Sequence, residues 1–285
     1  LPYADFSGFE LSNYSGKTIH SCRGCVRRCV FCSDWRQKKY RQMRAERIFG
    51  EIEHQCGTHP DATRFLFGDS LLNGDMKALA SFRDLLLHSG LSVSWKGWAI
   101  VRPEMTPEFL AKMRAAGCDE LFYGIETGSE KVMRALDKHV PVALNGAVLK
   151  ATREAGIATI SGFIVGFPAE TEDDFQQSLD FLRENAASIS LLNPTLFHVY
   201  EMMDRSDDYG LEPTGSPHYW RTRDGTNTFP IRVDRMRRLV KTARSSGISV
   251  SAEALDSSDR IDAECDQLLA DYERWLTRTC PPIAI

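Results

Sequence analysis

Four cysteine residues lie within eleven positions near the amino terminus of this 285-residue chain. The segment SCRGCVRRCVFCSDW contains Cys22, Cys25, Cys29 and Cys32. Where thiols stay reduced, clustered cysteines more often bind metal or carry out redox chemistry than form disulfides. The last three have the spacing C-x3-C-x2-C, with Phe31 directly before the final cysteine. The segment therefore indicates a thiolate-ligated metal centre.

Three kinds of metal site compete for this loop. Cysteine thiolates hold four-iron clusters, usually four per cluster, and a three-cysteine set would leave one iron open to an external amine and carboxylate. A zinc-binding structural module is the alternative, but its C-x2-C pairs usually lie a dozen or more residues apart. A ferredoxin run has another spacing and a proline after its last cysteine, where this chain has Ser33. The residues favour the three-cysteine iron-sulfur cluster.

Composition narrows the class of protein. With 42% hydrophobic and 26% charged residues, the chain has the make-up of an ordinary globular protein and is long enough to bury a sizeable core. A net charge of −4 gives no general attraction to nucleic acid or to anionic lipid. We find neither a signal peptide nor an 18-residue apolar run, so we expect a cytoplasmic protein with no membrane and no nucleic-acid partner.

Strand-like runs alternate with helix-like runs over residues 17–200, which is the pattern of βα units around a parallel sheet. Six such units fit a partial (β/α)6 TIM-like barrel better than a closed eight-unit barrel, which needs ~250 residues. We expect residues 1–16 to form a pre-barrel segment and residues 201–285 a C-terminal cap and helices. The predicted barrel strands are residues 17–20, 63–67, 93–101, 120–125, 158–167 and 188–200. A further short strand is expected at residues 248–252.

The loop and the barrel together resemble the radical S-adenosylmethionine (SAM) enzymes, which place a C-x3-C-x-Phe-C loop after the first barrel strand. The resemblance implies that Cys25, Cys29 and Cys32 hold a 4Fe-4S cluster. It also implies that SAM binds the open iron and that the reduced cluster passes one electron to its sulfonium. The expected products are methionine and a 5′-deoxyadenosyl radical, which abstracts a hydrogen atom from the substrate.

Three further stretches carry the resemblance over residues 17–200. The family's motif after the second strand is matched loosely by Gly68 and Asp69, and its ribose-side motif after the fourth strand is matched by YGIETGS with Glu126. The adenine motif on the fifth strand is matched by GFIVGFPAET, which contains Gly162 and Gly166. The resemblance implies that these residues bind SAM.

Each of these residues also has a structural interpretation. Glu126 could cap the following helix, but a carboxylate at the carboxyl end of a strand favours a contact with the ribose or with the methionine amine of SAM. Asp69 lies in GDS, which is also an ordinary turn, and Arg102 suits either the SAM carboxylate or an ion pair at the rim. Gly162 and Gly166 indicate a close backbone approach, by a ligand or by packing. The tryptophans, among them Trp98, are interpreted as core or rim packing rather than as a substrate platform.

Within the superfamily, the chain is most similar to proteins whose cobalamin-binding domain precedes the barrel. Their pre-barrel segment is matched by LPYADFSGFELSNY, and their phrases SRGC, GIE-GS and GFP-ET have counterparts here. This resemblance implies a role for cobalamin in methylation or rearrangement of an unknown substrate. The alternative is a cobalamin-independent radical SAM enzyme of the methylthiotransferase or decarboxylase type.

Two departures from that pattern stand out. Cys22 takes the place of the usual Ser or Thr. It is either a substitution without functional consequence or an additional thiol near the cluster. No D-x-H-x-x-G cobalamin signature occurs in the chain, which begins at Leu1 rather than at Met. We therefore expect the cobalamin domain to lie outside this chain.

A run of basic residues follows the cysteine loop. Such a run is either a solvated face or a docking surface for an acidic flavodoxin or ferredoxin that supplies the electron. We call it the basic collar: Arg36, Lys38, Lys39, Arg41, Arg44 and Arg47. Substrate identity is not predicted, because residues 201–230 and the last helices match no motif.

Overall fold

The computed structural model describes residues 2–37, 39–212, 214–251 and 258–279. Strands and helices alternate along these ranges. The strands are β1 (Lys17–Ile19), β2 (Cys22–Arg23), β3 (Arg41–Gln42), β4 (Arg64–Phe67), β5 (Ser94–Ala99), β6 (Cys118–Glu126), β7 (Ala158–Val165), β8 (Leu191–Leu196) and β9 (Ser249–Val250). The helices are α1 (Asp34–Gln37), α2 (Ala45–Thr58), α3 (Met76–Ser89), α4 (Pro107–Ala115), α5 (Glu130–Ala135), α6 (Val142–Glu154), α7 (Glu172–Glu184), α8 (Phe229–Ser245) and α9 (Ser258–Thr279).

Seven strands form one sheet in the order β1-β4-β5-β6-β7-β8-β9. The pairs β1 with β4, β4 with β5, β5 with β6 and β8 with β9 are parallel. All six predicted barrel strands are present, so the predicted α/β partial TIM-like barrel is confirmed. Strand β9 adds a seventh member at the edge of the sheet, and β2 and β3 pair separately as an antiparallel ribbon.

Local capping signals fix the helix boundaries. Thr106 accepts a hydrogen bond from Phe109 N at the start of α4, with proline at the first helical position. Thr171 and Asp174 form a capping box at the start of α7. Gly90 ends α3 in the left-handed conformation that glycine adopts without strain. Among the helices of the described ranges, none has the length and apolar composition needed to cross a membrane.

The chain divides into two compact units. The first comprises residues Leu1–Arg28, Cys32–Gly124 and Ala143–Ile160. On one face of its sheet, Trp95 is fully buried and meets Phe67 and Phe82 edge to face, with ring centroids 5.6–5.8 Å apart. Because Phe82 belongs to α3, this face of β5 is the one that packs against the helix layer.

The second unit comprises residues Cys29–Phe31, Ile125–Val142 and Ser161–Ile285. Residues 201–230, the first part of the predicted C-terminal cap, contribute to the core of this unit. They include most of a 3-10 helix, Tyr200–Tyr209, and an antiparallel bridge between Leu211 and Thr222. Trp220 is buried against Phe197, and the Arg232 guanidinium lies over its ring at 3.6 Å. The expected boundaries at residues 16 and 200 stay predictions.

Candidate active site

The cysteine loop leaves the sheet directly after β1 and is closed at its base. The ribbon of β2 and β3 pairs Cys22 with Gln42 and Arg23 with Arg41. The carbonyl of Ser21 accepts hydrogen bonds from Met43 N at 2.8 Å and from Gln42 Nε2 at 3.1 Å. These contacts tie together the two ends of the segment that carries the three motif cysteines, at the carboxyl edge of the sheet.

Asp69 anchors the first residues of this loop. Its side chain is fully buried, and its carboxylate accepts hydrogen bonds from Ser21 N at 2.7 Å, Ser21 Oγ at 2.5 Å and Cys22 N at 3.1 Å. His20 Nδ1 lies 3.3 Å from the same carboxylate. A buried carboxylate needs such donors to offset the loss of its hydration. Asp69 therefore holds the start of the cysteine loop, and its predicted contact with SAM stays a prediction.

The three motif cysteines are free thiols in this loop. Cys25 and Cys32 are half-buried and Cys29 is buried. Cys25 Sγ accepts a hydrogen bond from Arg27 N at 3.4 Å, which is the kind of contact that stabilises a thiolate ligand. Gly24, with a φ of 74°, supplies the left-handed turn before Cys25.

The donor set suits an iron-sulfur cluster. Three soft thiolates in a short loop are the ligands that iron-sulfur clusters take, and each binds a different iron atom. Within the described ranges, no three His, Cys, Asp or Glu side chains converge on a point that one metal ion could occupy. Ligands of a four-iron cluster do not need to converge in that way.

Cys22 differs from the other three cysteines. It is buried, and its thiol donates a hydrogen bond to the carbonyl of Leu71 at 3.0 Å. Burial, reinforced by the nearby Asp69 carboxylate, raises the pKa of the Cys22 thiol to about 12. A protonated thiol is a poor metal ligand, so the geometry agrees with a ligand set that leaves Cys22 out.

Glu126 ends β6 in an unusual backbone conformation. Its φ is 69°, in the left-handed region that few residues other than glycine adopt. Its side chain is 11% exposed and pairs with Lys138, which is 6% exposed. The helix-capping role belongs instead to Ser129, whose side chain accepts from Val132 N. Strained carboxylates at strand ends concentrate at binding sites, so Glu126 remains the strongest candidate for a SAM contact in the second unit.

The two motif glycines have different surroundings. Gly162 is a buried residue of β7. Gly166 has a φ of 87°, and a Cβ there would lie 2.3 Å from the Arg232 side chain. Its N–H donates to Glu170 at 2.9 Å, and Glu170 is itself buried against Arg235. Packing against protein atoms thus accounts for Gly166.

Arg102 joins two loops of the first unit. One guanidinium nitrogen donates to the carbonyls of Asn73 and Gly74, both at 3.1 Å, and the other pairs with Glu104 at 3.0 Å. The contact with Glu104 is an ion pair at the rim, which is one of the two interpretations that the sequence allowed for Arg102. The buried Asn73 side chain makes two hydrogen bonds to the backbone of Ile100, so the same loops are joined twice.

Sequence reasoning missed Lys138 and Asn73. Lys138 lies twelve residues after Glu126 in no motif, so nothing in the sequence pointed to the ion pair. Asn73 stands in GDSLLNGD, where turn residues are common, and its buried role has no sequence signature.

Comparisons with known proteins place these features in a family. The profile described as the radical SAM superfamily matches residues 19–182. The chain is 28% identical over 172 residues to an uncharacterized methyltransferase of Pyrococcus horikoshii, and 28% identical over 160 residues to the anaerobic magnesium-protoporphyrin IX monomethyl ester cyclase of Cereibacter sphaeroides. These matches cover 58% and 55% of this chain but only 36% and 26% of those relatives.

Solved structures share the fold. The cobalamin- and cluster-bound radical SAM methyltransferase TsrM of Kitasatospora setae is 18% identical with a TM-score of 0.56, covering 64% of this chain and 36% of that one. Coproporphyrinogen III oxidase of Escherichia coli, described as a radical SAM enzyme, is 16% identical with a TM-score of 0.57, covering 81% and 52%. The superfamily profile spans more than half of the chain, including the cysteine loop, Asp69 and Glu126. The chain belongs to the radical SAM superfamily of enzymes.

Proposed function

We propose that Cys25, Cys29 and Cys32 hold a 4Fe-4S cluster and that the enzyme cleaves SAM reductively to a 5′-deoxyadenosyl radical. The observation that carries this proposal is the anchored cysteine loop at the carboxyl edge of the parallel sheet, where barrel enzymes keep their active sites. When bound, the cluster supplies the electron for SAM cleavage. The chain's own residues hold the ligands, position SAM and exclude water.

The proposal gives each of the motif residues a separate task. The N–H of Arg27 donates a hydrogen bond to the Cys25 sulfur and so stabilises its thiolate form. Asp69 fixes the backbone at Cys22, three residues before Cys25. Glu126 is assigned to the ribose or the methionine amine of SAM. Its ion pair with Lys138 keeps the carboxylate in place before SAM binds. The groups of SAM must therefore fit an ion pair rather than a free carboxylate.

For the reaction that follows, we propose methylation or rearrangement of an unknown substrate with cobalamin in the full-length protein. The support is the fold shared with TsrM and with OxsB, both described as cobalamin-dependent or cobalamin-bound. OxsB is 18% identical with a TM-score of 0.53. The chain itself carries no cobalamin signature, so no residue here is assigned to that cofactor.

A cobalamin-independent methylthiotransferase is the second candidate. It is favoured by similarity to the ribosomal protein uS12 methylthiotransferase RimO of Thermus thermophilus, 29% identical over 177 residues. The two candidates differ in the full-length protein. The first predicts a bound corrinoid with its visible absorption, and the second predicts none.

The reductant is proposed to be a flavodoxin or ferredoxin in the cytoplasm. Four members of the basic collar are exposed: Arg36, Lys39, Arg41 and Arg44. They follow the cysteine loop in the chain, so an acidic electron donor attracted to them would approach the loop. Lys38 lies outside the described residues, and Arg47 pairs with Glu51.

The proposed function is tested by anaerobic reconstitution with iron and sulfide, followed by dithionite and SAM. We expect a brown protein that produces 5′-deoxyadenosine. Cys25→Ala, Cys29→Ala and Cys32→Ala are expected to lose iron and product together, whereas Cys22→Ala serves as the matched control and keeps both. A colourless protein that binds one zinc ion, or a Cys25→Ala variant that still cleaves SAM, contradicts the proposal.

A further inference from the structure

An aromatic pair, the exposed Trp98 and the half-buried Phe122, lies on the first unit's sheet, opposite its helix layer. Strand residues alternate between faces, so Lys96 and Trp98 point away from the face on which Trp95 packs against α3. Trp98 keeps 46% of its surface exposed in the folded chain. On the neighbouring strand, Phe122 stands directly opposite Trp98, and the two ring centroids lie 3.5 Å apart.

A polar pair lies beside these rings on the same face. Lys96 stands opposite Glu120, and their side chains form an ion pair at 2.9 Å while staying 28% and 25% exposed. Each ring lies two positions along the strand from its charged neighbour, about 7 Å away. A cavity of about 250 Å³ opens over this surface, between the aromatic pair, the ion pair, Leu66 and Ile160.

Trp98 lies at the level at which the cysteine loop begins. Leu66 pairs with Lys96, so Trp98 is level with Gly68, the residue before the loop anchor Asp69. A backbone hydrogen bond also links Trp98 to the segment after Asp69, because the carbonyl of Trp98 accepts from Leu72 N at 2.7 Å. Trp98 therefore lies near the carboxyl end of β5, and Phe122 lies beside it in the middle of β6, four residues before Glu126.

We propose that Trp98 and Phe122 form the platform on which the substrate lies, and that this substrate is a flat, conjugated one- or two-ring compound. Its polar edge, with both a hydrogen-bond donor and an acceptor, meets the Lys96–Glu120 pair. This inference names a substrate class for the proposed radical SAM reaction and so rests on it. Exposed aromatic rings offer large stacking area, and paired opposite charges complement a neutral polar edge rather than an ion.

The cavity volume indicates how large a part of the compound the cavity holds. Pockets for drug-sized ligands occupy ~300–1,000 Å³, and this one lies just below that range. One or two fused rings match this space, whereas a tetrapyrrole macrocycle is too large to enter it whole.

The test uses naphthalene-2-carboxamide as a probe and its saturated decahydro analogue as a control, titrated calorimetrically into the reconstituted protein without oxygen. We expect the aromatic probe to bind at least tenfold more tightly than the saturated one. Trp98→Ala is expected to weaken the probe about tenfold, whereas Trp98→Phe restores most of the affinity. Phe9→Ala removes an exposed ring outside this cavity and serves as the matched control, with probe affinity unchanged.

Three results would overturn the inference. The first is equal affinity for the aromatic and saturated probes, or none for either. The second is a Trp98→Ala variant that binds the probe as the wild type does. The third is a loss of SAM affinity in Trp98→Ala that matches the loss of probe affinity, because the platform would then hold the adenine ring.

A parallel assay of 5′-deoxyadenosine separates this inference from the proposed function. A wild-type protein that forms the product but binds neither probe overturns the platform and supports the function. A wild-type protein that binds only the aromatic probe and forms no product supports the platform as a binding site and overturns the function.

Discussion

Asp69→Asn is expected to destabilise the protein strongly, although the substitution changes only one atom of the side chain. The carboxylate of Asp69 accepts from Ser21 N, Ser21 Oγ and Cys22 N, and its side chain has no exposure to solvent. In the asparagine variant, one oxygen becomes an NH2 group that faces donors. At least one buried donor then loses its partner, and the remaining hydrogen bonds lose their charge assistance.

The structure sets the size of this effect. A hydrogen bond to a charged group contributes about 1.5–3 kcal/mol, and an unsatisfied buried donor costs about 1–3 kcal/mol. We therefore expect the free energy of unfolding to fall by about 3 kcal/mol, which lowers the melting temperature by about 6–12 °C. Ser21→Ala, which removes only the hydroxyl donor, should lose about 1 kcal/mol.

Thermal unfolding of the cluster-free protein, followed by circular dichroism, measures this loss. The matched control is Asp180→Asn, because Asp180 is 51% exposed and pairs at 2.6 Å with Arg183, which is 49% exposed. Exposed pairs contribute less than about 1 kcal/mol, so this variant should melt close to the wild type. If Asp69→Asn also melts within 1 °C of the wild type, the anchoring role of Asp69 is refuted.

Three other predictions follow from buried contacts of the second unit. Glu126→Gln is expected to cost about 1.5–3 kcal/mol in unfolding free energy because it removes the negative charge that pairs with the buried Lys138 ammonium, and the double variant with Lys138→Met should recover part of this loss in thermal melts. Gly166→Ala should cost at least about 2 kcal/mol, since its Cβ meets an arginine side chain at a positive φ. Desolvation of the imidazole, reinforced by the nearby His218, lowers the pKa of His198 to about 4, so its NMR titration should have a midpoint well below 6.5.

Controls sharpen these measurements. Gly210→Ala tests the Gly166 argument, because Gly210 also has a positive φ but has no atom within 4 Å of the added Cβ. It should cost only about 1 kcal/mol, and an equal loss at both glycines would contradict the packing account.

For His198, the unfolded state binds a proton near pH 6.5 and the folded state only near pH 4. Stability contributed by neutral His198 is thus present above pH 6.5 and is lost as pH falls toward 4, relative to His198→Gln.

The barrel was predictable because its signals are local. Alternating apolar runs predicted every strand from β4 to β8, and Thr106 with its following proline marked the start of α4 to the residue. Strand β9 was harder, because its two residues are held by pairing with β8 across more than fifty positions. The expected end of that strand, residue 252, lies outside the described residues.

The site was only partly predictable because side-chain partners are set by the tertiary fold. The cysteine spacing identified the loop, yet nothing in GDS indicated that Asp69 points at the loop's backbone. Glu126 was identified from its motif, but its partner Lys138 became visible only in the structure. Gly166 was offered as either a ligand approach or packing, and the Arg232 side chain favours packing.

The central claim, a cluster held by three cysteines with one iron open to SAM, is tested most directly by Mössbauer spectroscopy of the protein reconstituted with 57Fe. We predict the spectrum of a four-iron cluster in which SAM changes the isomer shift of a single iron site. The same change should occur in the Cys22→Ala variant, because the Cys22 thiol of the wild type is buried and protonated. A cluster whose spectrum is insensitive to SAM, or one that is lost in Cys22→Ala, would contradict the claim.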